Sequence, residues 1–211
     1  DMFWDMVKGI YDLGFDAWWL DATEPDMHSN ISVGDRKCDL TPNAMGNGER
    51  MFNPYATYQA KGIYENQRKE TDQKRVFILT RSAFAGLQHY GAANWSGDIV
   101  ARWSDLKDQI GHGVNFSLSG IPYWTMDIGG FSVESRYSSK PKYTPEDIEN
   151  QKEWKELQTR WYQFGAFCPL FRSHGEYPYR EIFNIANENE EAYQSILNYM
   201  KLRYRLMPYI Y

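Results

Sequence analysis

Short apolar runs alternate with longer amphipathic segments along this chain, and each run stops on a polar residue. The runs cover residues 17–20, 75–80, 121–126 and 167–171, and they are followed by Asp21, Arg81, Asp127, and Arg172 with His174. Strand then helix, four times over, predicts a parallel sheet or barrel, since parallel strands need a crossover between them. In an eight-stranded barrel the active site is built at the C-terminal face, from residues on several strand ends. Four strands would be only half of such a barrel, so these residues point to one site whose remaining wall lies elsewhere.

The helices between the runs are legible from spacing. Phe3, Met6, Val7, Ile10 and Tyr11 recur at helical intervals, and Gly14 then closes that helix. Further helices are expected over 55–70, 99–113, 145–164 and 188–207, the third opened by Thr144 as cap and Pro145 in the first turn. Residues 26–53 and 129–146 are rich in turn formers without periodicity and are expected to be long loops. The chain opens on Asp1-Met2-Phe3-Trp4 and closes on a still apolar Leu206-Met207-Pro208-Tyr209-Ile210-Tyr211. Both ends read as cut from something longer.

Charge and composition exclude several classes of partner. A formal net charge of -5, with no polybasic block, argues against nucleic acid or an anionic membrane surface. No stretch approaches the apolar length of a membrane span, so no membrane insertion is expected. The histidines, His28, His89, His112 and His174, lack metal-ligand spacing, and Cys38 and Cys168 add none. Phosphate-cradling glycine loops, a dinucleotide fingerprint and a nucleophile-elbow serine are missing from the sequence too. What is abundant is aromatic surface: 17% of the residues, including 8 Trp and 16 Tyr. Many lie in turn-rich stretches next to acids and glycines, a composition that suits carbohydrate contact.

The stretch Ala17-Trp18-Trp19-Leu20-Asp21-Ala22-Thr23-Glu24-Pro25 delivers a carboxylate beside two indoles. Indole faces stack on pyranose rings, and an acid next to them can attack or stabilise an anomeric carbon. The plainer role for Asp21 is to cap the next helix. Retaining glycoside hydrolysis needs a second carboxyl about 5–5.5 Å from the first. Asp98, in Asn94-Trp95-Ser96-Gly97-Asp98 on a loop after the second strand, is the best candidate, with capping of a helix from Ile99 as the alternative. Asp127 reads either as a partner for sugar hydroxyls or as a strand-end turn helped by Gly129-Gly130. Arg81 and Arg172 are placed to pair with these acids or with hydroxyls, and His174 to bind a hydroxyl or satisfy the backbone.

Taken together these segments resemble glycoside hydrolase family 31. Trp19 to Pro25 resembles the nucleophile motif. Thr80-Arg81-Ser82-Ala83-Phe84-Ala85-Gly86, leading into Trp95-Ser96-Gly97-Asp98, is similar to the acid/base segment. Gly120-Ile121-Pro122, Asp127-Ile128-Gly129-Gly130-Phe131, Arg160 to Phe167, Arg172-Ser173-His174 and Arg203 to Tyr209 follow in the family's order. The resemblance implies an exo-acting, retaining α-glycosidase on a (β/α)8 barrel, with residues 1–211 part of one catalytic domain and no metal or organic cofactor. It implies Asp21 as nucleophile, Asp98 as general acid/base and Glu24 as a supporting acid. Trp19, Arg81, Trp95, Asp127, Phe131, Arg172 and His174 would line the sugar pocket. Starch-directed members usually carry Met-Asn where this chain has Ala22-Thr23, and the present version is more similar to the bacterial α-xylosidase branch acting on xyloglucan oligosaccharides. An α-glucosidase or α-transglycosylase is the alternative within the family; a non-catalytic carbohydrate-binding barrel is the alternative outside enzymes. Family habit implies a periplasmic or extracellular bacterial protein.

Overall fold

The computed structural model describes residues 2–15, 17–25, 31–40, 43–138 and 143–211. They pack as two compact units, Asp1–Trp95 with Ser117–Tyr123, and Ser96–Phe116 with Trp124–Tyr211.

In the first unit, helix α1 (Met2–Asp12) leads into strand β1 (Ala17–Leu20) through Gly14, as its spacing predicts. Two short helices follow, α2 (Val33–Asp39) and α3 (Gly48–Met51), where the sequence reads as loop. Each is started by one side chain: Ser32 accepts from the Asp35 N–H, and Asn47 from the Arg50 N–H. The rest of that expected loop, 26–30 and 41–42, lies outside the described residues, as does His28. Helix α4 (Tyr55–Glu70) matches its expected span, and strand β2 (Phe77–Thr80) starts two residues late. A 3-10 turn (Leu87–Tyr90) and strand β3 (Ala92–Trp95) replace an expected loop. The strands run parallel in chain order, with Trp18 opposite Ile78 and Leu79 opposite Ala93. The Asn94 N–H of β3 donates to the Tyr123 carbonyl at 2.8 Å. Ala56, Ala60, Ile63 and Gln67 make the buried stripe of α4, at helical spacing, against Trp4, Trp18 and Ile78. The one polar member, Gln67, accepts from the Trp18 indole at 2.7 Å, which satisfies both buried groups.

The second unit is built on helix α7 (Pro145–Gly165). It opens with the expected cap: the Thr144 hydroxyl accepts from the Asp147 N–H while the Asp147 carboxylate accepts from the Thr144 N–H. Trp154, Leu157, Trp161 and Tyr162 then face a core with Trp124, Met126, Ile128 and Ile196. Burying each such side chain stabilises by about 1.5–3 kcal/mol. Helix α9 (Glu191–Ile210) packs along α7, and the short helices α6 (Ser135–Ser138) and α8 (Ile182–Ile185) complete this unit; residues 139–142, with Pro141, lie outside the description.

Three expectations are corrected here. Helix α5 spans Trp103–Leu118 rather than 99–113, because the preceding backbone is committed elsewhere. Ile99 O accepts from the Phe131 and Ser132 N–H groups, and the Ala101 N–H donates to Ser132 O. The 121–126 strand shrinks to β4 (Trp124–Thr125). Residues 167–171 form no strand. Pro169 has no N–H to give a ladder, and buried Arg203 takes the carbonyls of Ala166, Cys168 and Pro169. What remains is a parallel bridge between Ile128 and Ser173.

Both cysteines are free thiols, Cys38 exposed and Cys168 buried. Burial pushes the Cys168 thiol up to about 12. Alkylation of the folded protein at mildly basic pH, followed by peptide mapping, is expected to modify Cys38 and spare Cys168. Equal labelling would contradict the packing of Cys168 against Met126 and Phe164.

Candidate active site

The chemistry-bearing residues fall into two clusters, one in each unit. In the first, Asp21 lies just past the last residue of β1, with its side chain 55% exposed. Its Oδ1 accepts from the Ala22 N–H at 2.8 Å and meets Arg81 Nη1 at 3.1 Å. The same guanidinium grips Glu24 from the other side, Nε to Oε1 at 2.6 Å and Nη2 to Oε2 at 3.1 Å. One Arg at the end of β2 therefore orients two acids at the end of β1, in the forked geometry that suits guanidinium and carboxylate. Such an arrangement fixes the direction of both acids and leaves Asp21 open on one side.

The turn between these acids is unusual. Ala22 has φ +54, the left-handed region, which costs a residue with a Cβ roughly 1–2 kcal/mol. Thr23, only 2% exposed, holds the turn down. Its hydroxyl pairs with the Thr80 hydroxyl at 2.9 Å and accepts the Ser82 N–H at 3.0 Å, while the Ser82 hydroxyl donates to Thr23 O at 2.6 Å. Asn94 of β3 ties the next strand in, its amide donating to Thr80 O at 2.8 Å. These four residues fall within the motifs read from the sequence, but their contacts are not legible there, because each joins segments separated along the chain.

Trp18 and Trp19 sit on opposite sides of β1, as strand alternation requires. Trp18 is core; Trp19 is 53% exposed and meets Trp95 edge-to-face at 6.1 Å. Trp95 itself is buried, so it backs the exposed indole rather than presenting a broad face of its own.

In the second unit, Asp127 follows β4, is fully buried and pairs with Arg172. The Ile128 N–H donates to Arg172 O at 3.1 Å, so the bridge that replaces a strand also sets this ion pair. Phe131 and His174 lie ring to ring at 5.5 Å. Asp98 is exposed on a tight turn, with the Ile99 N–H donating to Gly97 O at 2.9 Å. It follows β3 rather than the second strand. The helix it would cap in the alternative reading begins only at Trp103, beyond the reach of an N-cap, and the Val100 N–H is taken by Asp105.

A residue without any signal in the sequence organises this cluster. Arg180, 3% exposed, donates to the carbonyls of Gly129, Gly130, Phe131, Glu176 and Pro178. Burial lowers its pKa to about 10, which still leaves it charged at neutral pH. Gly129 and Gly130 are required beneath it. Both have positive φ, and a Cβ would fall 2.6 Å from Arg180 Cδ at the first and 2.5 Å from Ala101 N at the second.

Among the described residues no group of three or more His, Cys, Asp and Glu is placed to hold a metal ion, and no helix is long and apolar enough to cross a membrane. Each cluster by itself thus offers carboxylate, guanidinium and aromatic groups, the kinds of group that contact a polyhydroxylated ring.

Comparison with known proteins gives one consistent result. The family model described as the glycosyl hydrolases family 31 TIM-barrel domain matches residues 1–211. An α-xylosidase of Saccharolobus solfataricus is 43% identical over 211 residues, 100% of this chain and 26% of that protein. The crystal structure of an α-xylosidase from Xanthomonas citri superposes with a TM-score of 0.91 at 52% identity, covering 99% of this chain and 22% of that one. More distant is an α-glucosidase of Bacillus thermoamyloliquefaciens, 31% identical over 202 residues, 95% of this chain and 23% of that protein. The chain therefore spans about a quarter of the length of these relatives.

Proposed function

The chain belongs to glycoside hydrolase family 31 and supplies part of its (β/α)8 barrel, and from that premise we propose that the whole protein is a retaining exo-α-glycosidase. The reaction is a double displacement. Asp21 attacks the anomeric carbon while Asp98 protonates the departing oxygen; Asp98 then deprotonates the water that releases the sugar from Asp21. The observation that carries this reading is the exposed, Arg81-oriented carboxylate of Asp21 at the end of β1, with Glu24 held on the same guanidinium. Trp19, backed by Trp95, supplies an aromatic face for the sugar ring. Asp127 with Arg172, and Phe131 with His174, supply its polar and flat contacts. Residues 1–211 as a whole are part of one catalytic domain in this proposal.

The sugar removed is xylose, and the substrate a xyloglucan-type oligosaccharide. Two α-xylosidases at 43% and 52% identity, against 31% for the α-glucosidase, support the choice, together with Ala22-Thr23 in the nucleophile motif. Xylose lacks the hydroxymethyl group of glucose, so selectivity rests on excluding that group, worth about 1–3 kcal/mol. The full-length protein is expected to hydrolyse aryl α-xyloside with a kcat/KM roughly ten- to hundredfold above aryl α-glucoside. A preference for glucoside would move the protein to the α-glucosidase reading with the same acids. Early NMR spectra should show the α-anomer of the released sugar; the β-anomer would overturn the retaining mechanism.

A further inference from the structure

We propose that Thr23 is a positioning residue for Asp21: its hydroxyl locks the left-handed turn at Ala22 that aims the carboxylate, a role that rests on Asp21 being the nucleophile.

The geometry behind it is local and closed. Asp21 Oδ1 accepts from the N–H of Ala22 at 2.8 Å, so the direction of the carboxylate depends on the orientation of that one peptide group. Ala22, at φ +54, is held in a conformation an alanine does not choose by itself, and such conformations persist only where surrounding contacts over-determine them. On the downstream side that role falls to Thr23. Its hydroxyl group occupies a buried position between Thr80 and Ser82 of the neighbouring strand end. Ser82 reaches back to Thr23 O, so the residue is fixed through both side chain and backbone. Arg81, between Thr80 and Ser82, is the same residue that meets Asp21 and Glu24. A single three-residue segment thus carries both the guanidinium that orients the acids and the hydroxyl contacts that fix the turn between them.

Loss of the Thr23 hydroxyl leaves the side-chain shape nearly unchanged in Thr23→Val but releases the turn. The chemical step then suffers, because small displacements of an attacking group lower rates steeply. The sugar pocket is untouched, so KM for the substrate stays near its original value. Thr23→Ser keeps the hydroxyl and should retain most of the rate. Ala22→Gly offers an independent check. Glycine adopts positive φ freely, so Ala22→Gly in the Thr23→Val background should recover part of the lost kcat.

The experiment is a steady-state comparison of the full-length protein and these three variants on 4-nitrophenyl α-xyloside. Thermal melts run alongside confirm that each variant is folded. Expected are a ten- to hundredfold lower kcat for Thr23→Val with KM within about twofold, near-complete retention in Thr23→Ser, and partial recovery in the double variant. Unchanged kcat in a folded Thr23→Val would overturn the proposal, as would equal losses in Thr23→Ser. If Thr23→Val does not fold, a Thr23→Ser variant that folds and yet loses kcat also overturns it, and one with kcat retained supports it. The underlying reading is tested apart from this. Activity surviving in Asp21→Gly would remove Asp21 as nucleophile, whereas an inactive Asp21→Gly beside an unaffected Thr23→Val removes only the role given to Thr23.

Discussion

Asp21→Gly in the full-length protein is expected to lower kcat by a factor on the order of 10⁴ or more, as removal of a covalent nucleophile does elsewhere. The substitution deletes the attacking oxygen and vacates space beside the anomeric carbon, so added azide should restore turnover of an aryl α-glycoside with a good leaving group. Azide then bonds to the anomeric carbon from the face Asp21 occupied, and the aryl oxide leaves from the other, which gives a β-glycosyl azide. Asp98→Ala is expected to behave differently. Activated substrates need no proton donor, so the first step survives and the sugar accumulates on Asp21. Azide now displaces the carboxylate of Asp21 from the opposite face and yields the α-azide. The alkaline limb of the pH profile, set by the general acid, should flatten in the same variant. The anomeric configuration of the two azides is therefore a direct readout of which acid does what. The same anomer from both variants, or the reverse pattern, would overturn the assignment.

Why Asp21 and its partners are legible in the sequence, while the turn that aims Asp21 is not, follows from where each signal resides. A strand end is a local event: apolar Ala17–Leu20 stops and a carboxylate follows, and the spacing to Glu24 is read within one segment. Helices α4 and α7 are similarly local, carried by the stripe Ala56, Ala60, Ile63 and Gln67 and by a capping box. Thr23 is different. Its partners lie 57 and 59 residues away, so although Ala22-Thr23 carries part of the family resemblance, nothing near it in the chain shows that its hydroxyl is buried and bonded. Strand β3 was hidden for a related reason. Ala92-Ala93-Asn94-Trp95 contains no β-branched residue, and it becomes a strand through its pairing with β2, which leaves all four residues buried. The segment 167–171 shows the opposite error. Apolar composition suggests a strand, but Arg203, 34 residues downstream of Pro169, claims the carbonyls that a ladder would use. Tertiary hydrogen bonds of this kind decide the outcome without leaving a trace in local pattern.

Arg180→Ala is expected to be the most destabilising substitution in the second unit, because the guanidinium serves as the acceptor-satisfying centre for two loops at once. Its Nε and Nη2 groups hold Gly129, Gly130 and Phe131, while Nη1 holds Glu176 and Pro178. The face of the guanidinium rests over Trp154 of α7, 5.0 Å from the ring centroid, and Tyr162 of the same helix donates to Arg180 O at 2.6 Å. Removing the side chain takes the donor from the carbonyls of Gly130, Glu176 and Pro178, while Gly129 O keeps Gln158 and Phe131 O keeps the Glu176 N–H, and it opens a void against an indole. Each orphaned buried acceptor costs about 1–3 kcal/mol, and relaxation of the loops toward water recovers part of the sum. A net loss of roughly 3–5 kcal/mol is expected, in the range seen when a buried charge network is broken. Arg180→Lys should rescue little, since one ammonium with three donors cannot span carbonyls on both loops. Those loops also carry Phe131 and His174, and the Glu176 N–H is bonded to Phe131 O at 2.9 Å. Any Arg180→Lys protein that folds should therefore show a raised KM, because the sugar contacts loosen, and a lowered kcat as well, because Ile99 O beside Asp98 accepts from the Phe131 N–H at 2.8 Å. Denaturant melts of the full-length variants, with kinetics on the folded fraction, check both parts. A change below about 0.5 kcal/mol for Arg180→Ala, the size of an ordinary surface substitution, would show that the loops hold without the clamp.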